Sequence, residues 1–150
     1  MTTLALAGAV ACRDASRPPL PGVHPNDNTA SAGALHADTL TLTLVARRAV
    51  WRPEADSGPS VEVAAFAEEG QAPQIPAPMI RVREGTVIDV TVRNALPDST
   101  IKVIGLRARP DTTHDTLRVR PGASQRLTFV AGAPGTYLYS AVLGHHDVDR

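Results

Sequence analysis

From Thr39 to Val142 the chain is cut at short intervals by proline and glycine, and the stretches between the cuts alternate apolar with polar residues. Thr39 to Val45 reads TLTLTLV, with Leu40, Leu42 and Leu44 on one side and Thr39, Thr41 and Thr43 on the other. A repeat of two residues is the signature of a half-buried strand and is incompatible with an amphipathic helix. After the turn-rich RPEADSGP come Val61, Val63 and Ala65, alternating with Glu62 and Ala64, and then a proline-rich connection from Pro73 to Pro78. Met79 to Arg83, a Glu84–Gly85 turn and Thr86 to Asn94 read as two further strands, the second with Ile88, Val90 and Val92 on one face. Thr100 to Leu106, Thr116 to Val119, Ser124 to Val130 and Thr136 to Val142 complete the series, divided by turns at Pro121–Gly122 and at Ala133, Pro134 and Gly135. About eight short strands and no helical period predict an all-β fold, an antiparallel β-sandwich or barrel.

Composition narrows the function. The chain has 150 residues, enough for one domain with an apolar core. Its 15 basic and 15 acidic residues give a net charge of zero, so no long-range field draws it to nucleic acid. Lys102 is the only lysine; the other cations are arginines spread along the strands, as on solvated sheet faces. With Cys12 as its single cysteine, the chain can form neither an internal disulfide nor a thiolate cluster for zinc or iron–sulfur. It has no Ser–His–Asp constellation, no phosphate-binding glycine loop and no paired carboxylates in strong context, so nothing supports a hydrolase or a kinase.

The amino terminus differs from the rest. Leu4 to Ala11, LALAGAVA, is a short apolar run that ends at Cys12. It is too short to span a bilayer and reads as the end of a secretory signal, with Ala9 to Cys12 similar to a bacterial lipoprotein cleavage site. This predicts an exported protein, in the bacterial periplasm or at the cell surface, with Cys12 as the lipidated residue and the lipid as its only link to a membrane. Residues 13–37 are rich in Pro, Ala, Asn, Ser and Gly without an apolar face, and are expected to form a flexible linker. His24 and His36 within it are assigned no role. The folded domain is expected over residues 38–150.

The order of the later segments resembles the amino-terminal plastocyanin-like (cupredoxin) domain of multicopper oxidases. PAPMIRVREGTVIDVTVRNAL, the GL of KVIGLRARP, the PG of RPGASQRLTFVAGAPGTYLY and the closing PGTY-x-Y follow that family's order and approximate spacing. The likeness runs from about Asp38 to Leu143. It implies an all-β, Greek-key antiparallel β-sandwich of the cupredoxin type and copper as cofactor. In active members, two His-x-His pairs on neighbouring strands aim imidazoles into one space, because residues two apart on a strand share a face.

Carried onto this chain, those pairs fall on Lys102 and Ile104 and on Ser140 and Val142. None is a competent copper ligand: Ile and Val carry no donor, Ser is a poor one, and a protonated Lys repels a cation. The expectation is therefore that copper, although implied by the resemblance, is not bound at the usual positions. A blue copper centre would also need a cysteine within the domain.

His145 and His146, with Asp147 and Asp149 nearby, are the remaining candidate donors, and His114 lies in the polar stretch DTTHD. A strand normally follows the PGTY strand in the resembled domain. Either the chain is a piece of a longer oxidase-like protein or one sheet edge is left open, which predicts further cupredoxin domains or self-association as partners. The alternative functions are a non-metal interaction module at the cell surface and a fragment of a larger oxidoreductase.

Overall fold

A computed structural model describes residues 18–107 and 116–144, and every regular element among them is a strand. In chain order these are β1 (His24–Pro25), β2 (Ala34–His36), β3 (Thr39–Trp51), β4 (Val61–Glu68), β5 (Gln74–Ile75), β6 (Val87–Asn94), β7 (Thr100–Ile104), β8 (Thr116–Val119), β9 (Ser124–Val130) and β10 (Ser140–Gly144). The larger sheet runs β1-β5-β4-β3-β6-β9, with β2 also paired to β3, and the smaller runs β10-β7-β8.

The alternation of TLTLTLV does what its period demands. Leu42 and Leu44 join Ala46 in the core, where they meet Ile88, Val90 and Val92 from β6 and Ile101, Val103 and Val119 from the smaller sheet. Burying a side chain such as Leu44 or Ile101 completely contributes roughly 1.5–3 kcal/mol. The two-sheet, all-β sandwich is as expected, but the sheets are mixed and not purely antiparallel. β3 and β6 run parallel, with Thr39 opposite Val87 and Thr43 opposite Thr91, and β1 is parallel to β5. Parallel neighbours need a long connection between them, and β4, β5 and the proline-rich stretch supply it between β3 and β6.

Two expected boundaries are corrected. Residues 79–83 form no strand: Pro76 and Pro78 lack N–H donors, and the segment is bonded only at scattered points, from Ala32 N to Met79 O at 2.7 Å and from Thr86 N to Arg83 O at 3.2 Å, and at Ser31 Oγ, which accepts from Arg81 N at 3.0 Å and donates to Arg81 O at 3.3 Å. The last strand begins at Ser140 and not at Thr136. Main-chain bonds join residues 21–24, within the segment expected as a linker, to the larger sheet. Val23 N donates to Val50 O at 2.8 Å, Val50 N to Pro21 O at 2.9 Å and His24 N to Pro73 O at 2.8 Å. The segment thus bridges β3 and β5, the two strands that flank β4. Main-chain pairing needs no side-chain period, so the sequence carries no trace of it.

Asn94, fully buried at the end of β6, ties the sheets together. Its Nδ2 donates to Ser99 O at 2.8 Å and to Val119 O of β8 at 2.9 Å, and its Oδ1 accepts from Leu96 N at 3.0 Å. The Arg-Asn ending of this strand therefore has a structural reason.

Candidate functional site

The face of interest lies on the smaller sheet. β7 and β10 pair antiparallel, with Val142 directly opposite Lys102 and Ser140 directly opposite Ile104. Ile101 and Val103, which alternate with these residues, are buried in the core, so Lys102 and Ile104 point away from it. The register brings all four positions together as two cross-strand pairs on the outer face. On the third strand, Arg118 stands opposite Lys102 and Thr116 opposite Ile104. Arg118 was not singled out in the sequence, although the alternation in TLRV could have placed it on this face.

Two contacts set the register. Gly105 follows β7 with φ +87°, and a Cβ there would overlap the Leu138 carbonyl oxygen just ahead of β10. Only glycine allows both the left-handed backbone and that approach. Tyr139 then anchors the chain entering β10: its hydroxyl donates to Pro78 O at 2.6 Å, and its ring lies 5.8 Å from that of Phe66 at an interplanar angle of 56°. Burial pushes the Tyr139 phenol well above its ordinary pKa, as expected when the charged form would be desolvated. The Gly-Leu motif and the last two residues of Pro-Gly-Thr-Tyr-Leu-Tyr thus lock one loop against the end of one strand and deliver β10 to β7 in register.

The chemistry of the face is one ammonium, one hydroxyl and two hydrocarbons, with a second cation at Arg118. Val142 is 54% exposed, and neighbouring Leu138 is 85% exposed. His24 and His36 are both exposed, on β1 and β2. Among the described residues, no group of three or more His, Cys, Asp or Glu could hold a metal ion. Cys12, His114, His145 and His146 lie outside the described residues.

Residues 66–149 match the family described as multicopper oxidase. The chain belongs to that family. No curated protein is similar enough in sequence to count as a relative. Among solved structures, the multicopper oxidase from Campylobacter jejuni, titled a metallo-oxidase, shares 19% identity with this multicopper oxidase domain; the match covers 81% of this chain and 26% of that one, with a TM-score of 0.51. The 2F4 variant of McoA multicopper oxidase from Aquifex aeolicus shares 17% identity over 83% of this chain and 24% of its own, with a TM-score of 0.53. At such identities the likeness carries the fold, a cupredoxin-like sandwich. The domain spans about a quarter of the length of these proteins.

Proposed function

We propose that this chain is a scaffold domain of the multicopper oxidase type that holds no copper at the family's usual histidine positions and does not turn over as an oxidase by itself. The observation that carries this reading is the pairing of Lys102 with Val142 and of Ile104 with Ser140. The backbone collects four side chains on one face, as a metal site requires, but the side chains offer no imidazole, carboxylate or thiolate. The four residues do not fit copper.

The second reading, a piece of a larger multicopper oxidoreductase with its coppers in other domains, is supported by the quarter-length span of the solved relatives. Further cupredoxin domains are then the partners. The apolar run ending at Cys12 supports export to the periplasm or cell surface with a lipid anchor.

The test is the copper content of the full chain, loaded with excess copper and then dialysed. Substoichiometric copper is the expected outcome. About one copper per chain, held tightly as at a true site, would overturn the reading. Replacing His145 and His146 by Ala would then show whether those residues hold it.

A further inference from the structure

We propose that a cleft walled by Arg47, Arg48 and Arg93 binds a phosphate-type oxyanion, either free or in a lipid headgroup. The cleft has a volume of about 260 Å³ and is completed by Leu20, Val45, Ala95 and Pro97. Arg47 and Arg93 lie on the same outer face of the neighbouring strands β3 and β6, whereas Arg48, the next residue along β3, turns its guanidinium to the opposite face toward Glu62 and Asp98 and lines the cleft without it. In a chain of zero net charge, two arginines facing one small concavity, with no carboxylate on its wall, make a local concentration of one sign. Apolar walls lower the local dielectric and strengthen any charge-assisted hydrogen bond formed between them.

The existing ion pairs leave donors over. Arg48 is held by Glu62 at 2.8 Å and by Asp98 at 2.6 Å, and neither carboxylate lines the cleft. The Arg47 guanidinium has no hydrogen-bonding or ionic partner among the described residues. Arg93 makes a long contact, Nη2 to Glu69 at 3.3 Å, with its side chain 43% exposed, while its Nε is buried without an acceptor. An unpaired buried donor costs about 1–3 kcal/mol. A modest rotation of Arg93 into the cleft would turn its Nε and Nη fork toward an anion and remove that cost.

The geometry favours phosphate over carboxylate. One guanidinium fork satisfies the two oxygens of a carboxylate, whereas the forks of Arg47 and Arg93 together match a tetrahedral group with several charged oxygens. Glu62, Glu69 and Asp98 offset part of the positive charge, so binding is modest and sensitive to salt. Two sources offer the same chemistry. Leu20 on the cleft wall is only eight residues after Cys12, a reach of at most about 29 Å at full extension. If Cys12 carries a lipid, an idea that rests on the export reading above, headgroup phosphates come within range. The site itself does not depend on that reading or on the copper content.

The experiment uses the full chain at constant ionic strength. Inorganic phosphate is titrated while backbone amide resonances are followed, and flotation is measured with vesicles of phosphatidylglycerol or of phosphatidylcholine. Saturable shifts around Arg47, Arg93 and Ala95 are expected, weakened roughly tenfold in Arg47→Gln and in Arg93→Gln, the loss of one charge-assisted contact. Arg47 is exposed on its strand, so its variant remains informative if Arg93→Gln folds poorly. Shifts with phosphate alone assign the site to a free anion. Flotation only with phosphatidylglycerol, abolished by Arg47→Gln, assigns it to a headgroup. Absence of both responses, persistence of the response in Arg47→Gln, or an equal response to chloride would overturn the proposal.

Discussion

Gly105 lies so close to the carbonyl of Leu138 that a Cβ at position 105 would occupy the space of that oxygen. The contact joins the end of β7 to the loop that leads into β10, and so fixes which residues of the two strands stand opposite one another. Gly122 also has a positive φ, +72°, but has open space where a Cβ would project. The two glycines separate backbone strain from steric overlap.

Gly105→Ala is accordingly expected to destabilise the fold by roughly 2–4 kcal/mol, the sum of a left-handed backbone penalty and forced displacement of main chain. Gly122→Ala should cost only about 1–2 kcal/mol, the conformational share alone. Urea denaturation midpoints of the two variants provide the comparison. Equal losses would show that the approach of Leu138 has no energetic weight.

Tyr139 predicts a dependence on pH. Its phenol is raised above the ordinary value of 10.0 by burial, so the folded state favours the neutral form more strongly than the unfolded state does. The stability this contributes is complete below about pH 10 and is lost progressively as the pH rises toward the folded-state pKa. The urea midpoint should therefore fall as the pH rises above about 10, and the fall should be smaller in Tyr139→Phe. That variant should also lose about 1–2 kcal/mol near pH 7 by leaving the Pro78 carbonyl without its donor. An identical alkaline decline in both proteins would assign it to other groups.

The strands that carry the face were legible because their side chains must alternate between core and solvent. Val87 to Asn94 is the clearest case, with Ile88, Val90, Val92 and Asn94 all buried and the residues between them partly exposed. Thr39 to Val45 announced itself in the same way, but the strand continues to Trp51 because Val45 and Ala49, on the opposite face from the leucines, are buried as well. Burial on both faces erases the alternation. Met79 to Arg83 has the residue types of a strand and no strand to pair with, a tertiary fact that no local pattern contains. The bridge from residue 21 to residue 26 is held by main-chain bonds to Val50, Pro73 and Ile75, for which composition gives no signal. At the site, identities and spacing named Lys102, Ile104, Ser140 and Val142, while their pairing in register depended on Gly105 and Tyr139, whose partners lie 33 and 61 positions away.

Asn94 offers a test of the link between the sheets. Asn94→Ala removes two donors and one acceptor from a fully buried position and leaves Ser99 O, Val119 O and Leu96 N unmatched. A loss of about 2–4 kcal/mol is expected. Asn94→Asp keeps the shape but directs carboxylate oxygens at two carbonyls. It should be more destabilising at neutral pH and recover in mild acid, where the neutral acid donates one bond. A stability of Asn94→Asp that does not change between about pH 7 and pH 5 would show that position 94 is not shielded from water as its burial implies.

The register of β7 and β10 makes the strongest demand on the outer face. In an antiparallel pair, directly opposed residues place their Cβ atoms about 4.5–5.5 Å apart, and residues two apart on one strand are separated by about 6.5–7 Å. Lys102, Ile104, Ser140 and Val142 thus mark the corners of a rectangle small enough for four imidazoles to meet at one ion. None of the four is buried, so their replacement should disturb the core little. The variant Lys102→His, Ile104→His, Ser140→His, Val142→His is expected to retain about one copper per chain through dialysis, with the spectrum of tetragonal nitrogen-ligated Cu(II). The unmodified chain is expected to retain substoichiometric copper. Restoring only Ile104→His and Ser140→His supplies two of the four donors, and copper should then be removed by a weaker chelator. A quadruple variant with an unchanged circular dichroism spectrum and no retained copper would show that the side chains do not converge as the pairing requires, and that more than ligand identity separates this face from a metal site.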